Sequence, residues 1–380
     1  MRPRSHLRLL AASTLLVLAA CNDDGGSDPA TTVSVVATTT TGHLDDGALV
    51  VGAVLPSSGG AADIGASMSD GLAVALAEIN GSGGINGRQV RLIVREEGEN
   101  PATAGLAVQD LAQLGVDAII GPTSSTNVLG TLGRAVDAGV LTCSPTASAL
   151  ALDDFPDDGL FFRTIPSDTL QATAIAGLVE ASGSSTATVV YLDDDYGRPF
   201  AAATQAAITA QGTKVTGTVG FTPSEGSITA AVESVLANRP DVIAVIADGT
   251  TGPAIINAID AANDSKVTFV VNDAIRRPAA SAQPFAAGLA TRVVGVSPLA
   301  YAQSAAFTDA LRAVDPEATG LYAHNAYDCL NIVALAAAAA GSNQPADIAA
   351  AIPAVTSSGT GCTMFDDCNA ALAEGRNIDY

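Results

Sequence analysis

The 380-residue sequence has few positive charges. It contains 17 Lys and Arg against 39 Asp and Glu, which gives a net charge of −22. This balance argues against nucleic-acid binding, because there are too few cations to neutralise a phosphate backbone. The excess of acidic residues suits a soluble protein that is held near a membrane without adhering to it.

Histidines and catalytic motifs are also scarce. Beyond residue 20 the histidines are His43 and His324, and no Gly-x-Ser-x-Gly, P-loop or His-Glu-x-x-His motif is present. The sequence therefore predicts a protein that is not an enzyme and has no cofactor. It predicts no metal site either, because Cys362 and Cys368 have no further Cys or His nearby to complete a zinc site.

Long hydrophobic segments are missing after the N-terminus. The chain begins with three arginines and the short apolar run Leu9–Leu18, followed by Ala19-Ala20-Cys21. This pattern predicts a secretory signal peptide at residues 1–20. Because cysteine directly follows Leu-Ala-Ala, the segment resembles the bacterial lipobox, which implies cleavage before Cys21 and lipid attachment to its thiol. An ordinary signal peptide with an incidental cysteine is the alternative.

Residues 21–46 are rich in Asp, Gly, Ser, Thr and Pro and contain few large apolar side chains. Such a composition cannot bury a core, so it predicts a flexible tether between the lipid and a folded part that starts near Gly47.

Apolar runs of strand length alternate with helical patterns along the folded part. Ala48–Leu55 is the first such run, and a second series of strands and helices begins near Phe161. This alternation predicts an α/β fold with parallel sheets and right-handed crossovers. Two series in tandem predict two Rossmann-like lobes with a cleft between them.

Two loops rich in hydroxyl groups each follow a predicted strand, namely Gly121–Asn127 and Ser144–Ser148. Loops that follow parallel strands lie at the same edge of a sheet, where ligands bind in such folds. Hydroxyls and the N–H groups of a helix start suit an anion such as a carboxylate. The alternative is that these Ser and Thr residues only cap helices.

Acidic and aromatic residues follow the strands of the second series. They are Asp193–Asp195 with Tyr196, Asp248, and Asp273. The alternatives are a solvated loop for the aspartate run, a packed turn residue for Tyr196 and a helix cap for Asp273.

Four cysteines remain if Cys21 is acylated. Cys362 and Cys368 lie six residues apart in an exported protein, which favours a local disulfide between them. Cys143 and Cys329 lie in apolar surroundings, where buried free thiols and a second disulfide are both possible.

Taken in order, several motifs resemble the type I periplasmic binding proteins, specifically the branched-chain amino-acid binding family of transporter receptors. The matching segments are Val51–Gly59, Ala77–Asn80, Gly83–Arg88, Ile120–Ser125, Ser144–Ser148, Phe162–Thr164, Asp195–Gly197, Tyr327-Asp328 and Gly361–Cys368. The resemblance implies two lobes joined by three crossovers that close on a small ligand. With it, lobe 1 is predicted to comprise residues 47–166 and 291–380, and lobe 2 residues 167–290.

The resemblance also implies roles for individual residues. A ligand carboxylate would meet hydroxyls of lobe 1, and a ligand ammonium would meet a phenol and an acid of lobe 2. The carboxylate residues would be Ser124, Ser125, Thr146 and Ser148, and the ammonium residues Tyr196 and Asp273. Asp248 stands where the family often has an aromatic residue, so the wall of lobe 2 is expected to be more acidic.

The predicted protein is thus an exported, lipid-anchored solute receptor. It would lie at the outer face of the cytoplasmic membrane or in the periplasm, bound to the bilayer through Cys21, and deliver an amino acid or related small polar ligand to an ABC permease. The alternatives are a sensing subunit of a signalling system, or a receptor for an amide, urea-type or small carboxylate ligand. The sequence ends at Tyr380, before the strands that finish lobe 1 in that family; either it is truncated or the protein dispenses with them.

Overall fold

The computed structural model describes residues 46–264, 266–275, 284–297, 305–357 and 359–380. The predicted signal peptide, Cys21 and all but the last residue of the tether lie outside these residues. Among the described helices, none combines the length and the apolar character needed to cross a membrane.

The first half of the folded chain builds a five-stranded parallel sheet in which the strand order is β2-β1-β3-β4-β5. Its strands are nearly continuous apolar runs in the centre, as expected for a sheet that is covered on both faces. Its elements are β1 (Val50–Leu55), α1 (Ala62–Gly81), β2 (Arg91–Glu96), α2 (Pro101–Gln113), β3 (Ala118–Ile120), α3 (Ser125–Asp137), β4 (Leu141–Ser144) and β5 (Phe161–Arg163).

The next part builds a second five-stranded parallel sheet, in which the strand order is β10-β9-β8-β6-β7. Its elements are α4 (Asp168–Ala181), β6 (Thr186–Leu192), α5 (Gly197–Ala210), β7 (Lys214–Phe221), α6 (Glu225–Asn238), β8 (Val242–Ile246), α7 (Thr251–Ala262), β9 (Thr268–Val271) and β10 (Val293–Gly295). We call the first sheet with its packed helices lobe 1 and the second sheet with its helices lobe 2.

The last part of the chain returns to lobe 1. Its elements are α8 (Ala305–Val314), α9 (Ala323–Ala340), α10 (Pro345–Val355), β11 (Thr360–Gly361), α11 (Phe365–Ala373) and β12 (Ile378–Asp379). Helix α9 packs against α1 and α10 in the core of lobe 1. The approach of α1 to the start of α9 requires glycine at position 71, because a Cβ there would lie 2.1 Å from the carbonyl oxygen of Ala323. β11 and β12 pair with each other as a small parallel sheet.

One element differs from the predicted division into lobes. The sequence predicts that residues 291–380 belong to lobe 1, whereas β10 pairs in parallel with β9 and extends the sheet of lobe 2, with Val293 opposite Phe269. The last passage between the lobes therefore comes after Gly295. The sequence of this strand carries no signal for its partner, because either sheet could accept an apolar strand at its edge.

Two disulfides link the described cysteines. Cys362 is bonded to Cys368, as the six-residue spacing predicts. Cys143 is bonded to Cys329, with 5.8 Å between their Cα atoms. This second disulfide joins strand β4, which precedes the second hydroxyl-rich loop, to helix α9. The sequence left open whether these two cysteines are free thiols or a disulfide, and the structure has the disulfide.

Candidate functional site

The first hydroxyl-rich loop runs from the end of β3 into α3. It leaves the sheet at Gly121, where φ is +95° and a Cβ would lie 2.2 Å from the carbonyl oxygen of Val54. Ser124 is the N-cap of α3, and its Oγ accepts a hydrogen bond from the N–H of Asn127 at 3.2 Å. This bond uses a lone pair of the hydroxyl and leaves its hydrogen for another acceptor. Ser124 is thus a cap that can still donate to a ligand.

The second loop, after β4, is hydrogen-bonded to the first. Thr146 Oγ1 donates to the carbonyl of Thr123 at 2.8 Å, and Ser125 Oγ accepts from the N–H of Ala149 at 3.2 Å. The hydrogen of the Ser125 hydroxyl therefore remains available for a ligand, whereas that of Thr146 is engaged with the protein. The loops lie side by side, as their positions after neighbouring strands predict.

A buried acid that sequence reasoning missed lies beneath these loops. Glu97 follows β2 and is 1% exposed. Its carboxylate accepts four hydrogen bonds from the first loop: from Thr123 N–H, Thr123 Oγ1, Ser124 N–H and Asn127 Nδ2. Burial raises the pKa of Glu97, and the hydrogen bonds from Thr123 and Asn127 lower it.

Lobe 2 contributes a phenol and an acid. Tyr196 Oη accepts from Asn272 Nδ2 at 3.2 Å, and the Tyr196 ring also packs against the apolar cluster of lobe 1 that includes Ala147. Burial, followed by the charges of Asp168 and Asp273, raises the pKa of Tyr196, so the phenol stays protonated.

Asp273 lies directly beyond β9 and is 6% exposed. Its backbone N–H donates to Gln171 Oε1 at 2.8 Å, and its Oδ2 accepts from the phenol of Tyr322 in lobe 1, also at 2.8 Å. Burial raises the pKa of Asp273, and the hydrogen bonds from Tyr322 and Gln171 act against that rise. Asp273 is therefore a contact between the lobes as well as a candidate ligand residue.

A second buried acid, Asp168, accompanies Asp273. It is 0% exposed, its Oδ1 accepts from Gln171 Nε2 at 3.0 Å, and its Oδ2 has no hydrogen-bond partner among the described residues. Burial, then the charge of Asp273, raises the pKa of Asp168 to about 7, while the Ser148 hydroxyl lowers it. Ser167 is the N-cap of α4, and Asp168 faces Ser148 and Asp273.

Asp248 lies at the end of β8 in an exposed position. Its Oδ1 accepts the N–H groups of Thr250 and Thr251, both at 2.6 Å, so its carboxylate caps α7. This turn faces the β1–α1 turn of lobe 1, since a Cβ on Gly60 would lie 3.6 Å from Thr250 Oγ1. Asp248 is thus near a contact between the lobes, but its carboxylate is used locally.

The site as a whole has hydroxyl donors on lobe 1 and two buried acids on lobe 2. Such an arrangement can hold a small molecule with an anionic and a cationic end. Within the described residues, no group of three His, Cys, Asp or Glu side chains is arranged to hold a metal ion. A cavity of about 480 Å³ lies elsewhere, in lobe 1, lined among others by Asp328, Thr356 and Tyr380.

Comparison with known proteins identifies the family of the chain. A family model described as periplasmic binding protein matches residues 48–374. The chain is 28% identical over 351 residues to the chemotactic signal transduction system substrate-binding protein BasB of Halobacterium salinarum, covering 87% of this chain and 81% of that protein. It is 27% identical over 314 residues to the Leu/Ile/Val-binding protein homolog 1 of Brucella melitensis, covering 80% and 82%.

Among solved structures, the branched-chain amino acid transporter substrate-binding protein LivJ of Streptococcus pneumoniae, in complex with isoleucine, superposes with a TM-score of 0.69. The two chains are 23% identical, and the match covers 81% of this chain and 88% of LivJ. The similarity confirms the predicted architecture of two α/β lobes with parallel sheets.

Proposed function

The chain belongs to the periplasmic binding protein family, and we propose on that premise that it binds a free amino acid between its lobes and passes it to an ABC permease. A member of this family is a binding protein and not an enzyme, and it acts outside the cytoplasm. The identity of the ligand, the permease and a lipid anchor at Cys21 are parts of the proposal.

One observation carries the choice of ligand: available hydroxyl hydrogens and buried acids lie on opposite lobes. Ser124 and Ser125 each keep a hydrogen for a ligand carboxylate, because both hydroxyls accept backbone N–H groups. Asp273 and Asp168 offer negative charge for a ligand ammonium, and the protonated Tyr196 lies beside them. The names of similar proteins support the same class, since LivJ was solved with isoleucine.

The mechanism would consist of closure without chemistry. A ligand that touches both lobes binds the closed arrangement more tightly and shifts the population toward it. Contacts between the lobes such as Tyr322–Asp273 would stabilise that arrangement. A permease that recognises both lobes at once would then distinguish loaded from empty receptor.

Titration calorimetry of the mature protein against the common amino acids, their amides and small carboxylates tests the proposal. We expect binding of one or a few amino acids; silence across the panel would contradict it. Ser124→Ala with Ser125→Ala should weaken a carboxylate ligand by at least about tenfold, because two hydrogen bonds to a charged group are lost. The control is Ser182→Ala with Ser184→Ala, a pair whose hydroxyls bond each other at 2.7 Å before β6, away from the ligand edge.

A second function is favoured by the similarity to BasB, which is named for chemotactic signalling. In that case the loaded protein would bind a membrane signalling receptor. Capture of solubilised membrane proteins by the ligand-loaded chain separates the two: a permease supports transport, and a signalling receptor supports sensing.

A further inference from the structure

Glu97 holds the first hydroxyl-rich loop through both of its carboxylate oxygens. Oε2 accepts from Thr123 N–H at 2.9 Å and from Thr123 Oγ1 at 2.6 Å. Oε1 accepts from Ser124 N–H at 3.1 Å and from Asn127 Nδ2 at 2.7 Å. Four donors therefore converge on one buried side chain, and all of them belong to the residues that start α3.

The chemistry of this position requires a carboxylate. Its two oxygens only accept, and together they offer about four lone-pair sites, which match the four donors. An amide in the same place would turn an NH₂ group toward two donors and leave them buried without an acceptor. The start of α3 adds a favourable dipole for a negative charge.

The position of Glu97 also changes what the helix start can do for a ligand. The N–H of Ser124 is directed at Glu97, so a ligand carboxylate does not receive it. The ligand would depend instead on the hydroxyls of Ser124 and Ser125, whose placement follows from the turn that Glu97 fixes.

The second loop depends on the same turn. The Thr123 carbonyl accepts from Thr146, and the Pro122 carbonyl accepts from Ser144 at 2.7 Å. A shift of Thr123 would therefore be passed to the second loop through these two bonds.

We propose that Glu97 is a positioning residue of the ligand site, which sets the hydroxyls of Ser124 and Ser125 for a ligand carboxylate without touching the ligand. This inference rests on the proposed function. It also explains why a buried acid lies at the start of a helix, a position where a ligand anion would otherwise bind.

The test compares Glu97→Gln with a matched control. Asp117→Asn changes another buried acid of lobe 1, which is 1% exposed and accepts the N–H of Val50 at 2.6 Å at the opposite end of the sheet. We expect Glu97→Gln to weaken binding of the best amino acid from the calorimetric panel by at least about tenfold, since buried donors lose their acceptor. Asp117→Asn should leave affinity unchanged.

Binding of the methyl ester of the same amino acid distinguishes a positioning role of Glu97 from a general loss of structure in lobe 1. If Glu97 acts on the carboxylate end, Glu97→Gln should reduce the preference for the free acid over the ester; damage to the whole lobe would weaken both ligands equally. Glu97→Asp, which keeps a carboxylate one methylene shorter, should fall between wild type and Glu97→Gln. Wild-type affinity and an unchanged preference in Glu97→Gln would overturn the inference.

Hydrogen–deuterium exchange of the free protein keeps the inference separate from the choice of ligand. Glu97→Gln should raise exchange in residues 121–127 and 144–149, and Asp117→Asn should not. If the wild type binds no amino acid, the proposed ligand is wrong, and the exchange result alone decides on Glu97: unchanged protection of both loops would contradict its role.

Discussion

Tyr322 of lobe 1 donates its phenolic hydrogen to Asp273 of lobe 2, with 2.8 Å between Tyr322 Oη and Asp273 Oδ2. Tyr322 precedes α9 in a left-handed conformation, with φ at +58°. Such a conformation is uncommon for a side chain of this size, and it fixes the direction in which the ring leaves the helix. The bond joins the two lobes, so we expect it to stabilise closure.

Tyr322→Phe should therefore favour the open arrangement. The variant removes one hydrogen bond to a charged acceptor, worth about 1.5–3 kcal/mol, so ligand affinity should fall by at least about tenfold. Small-angle scattering of the ligand-free variant should show a larger radius of gyration than that of the wild type.

Tyr327→Phe is the matched control for this change. Tyr327 lies on the same helix and donates to Glu78 at 2.5 Å, but both residues belong to lobe 1. This variant should lose stability without changing affinity or radius of gyration. Equal effects of the two variants on affinity would contradict a specific role of Tyr322 in closure.

Ligand affinity should depend on pH through the pair Asp168 and Asp273. Burial and the charge of Asp273 raise the pKa of Asp168 to about 7, so Asp168 keeps a proton in the free protein below that pH. The ammonium group of a ligand favours the ionised form of Asp168, so ligand binding must release this proton. Affinity should therefore rise with pH between about 5 and 7, by at most tenfold per pH unit, and level off above.

Calorimetry in buffers of different ionisation enthalpy would detect the released proton. Arg163 and Asp153 also act on Asp168, so Asp168→Asn is needed to assign the effect, and it should abolish the pH dependence. Asp328→Asn is the control, because Asp328 lies elsewhere in lobe 1 and its own burial raises its pKa to about 6. Affinity that stays constant from pH 5.5 to 8 in the wild type would refute the assignment.

Two substitutions of Asp248 can distinguish its role as a helix cap from the effect of its charge on a ligand. Both of its hydrogen bonds use Oδ1, an oxygen that asparagine retains. Asp248→Asn should keep the melting temperature and weaken binding only of amino acids with a cationic side chain. Asp248→Ala should in addition lose about 1 kcal/mol of unfolding free energy with the cap. Equal binding of lysine by wild type and Asp248→Asn would show that Asp248 is not part of the ligand site.

The two disulfides should contribute very differently to stability. They close segments with sequence separations of 186 and 6 residues. On chain entropy alone, Cys143→Ala with Cys329→Ala should cost about 3 kcal/mol more unfolding free energy than Cys362→Ala with Cys368→Ala. Urea unfolding of both double variants measures this difference, and equal losses would show that loop length does not govern it.

The architecture could be predicted from the sequence because it depends on local patterns. Apolar runs such as Val50–Leu55 alternate with capped helices such as Pro101–Gln113, and parallel sheets follow from that alternation. The two hydroxyl-rich loops were predicted as neighbours for the same reason: each follows a strand, and parallel strands end at one edge.

The buried acids and the contact between the lobes involve partners that lie far apart in the chain. Glu97 is 26 residues from Thr123, and Tyr322 is 49 residues from Asp273. No periodicity marks such pairs, and an acid next to a helix start is more often a cap, as Asp248 is. Asp168 could have been suspected from its place after β5, at the same edge as the hydroxyl-rich loops.

The bond between Cys143 and Cys329 encloses every strand of lobe 2 in one covalent ring. A protease that cuts a single peptide bond within residues 144–328 would open this ring without producing two separate molecules. The nicked protein would run as one band on a non-reducing gel and as two after reduction. The two chain segments that carry the ligand loop and Tyr322 would stay tethered even with lobe 2 cleaved.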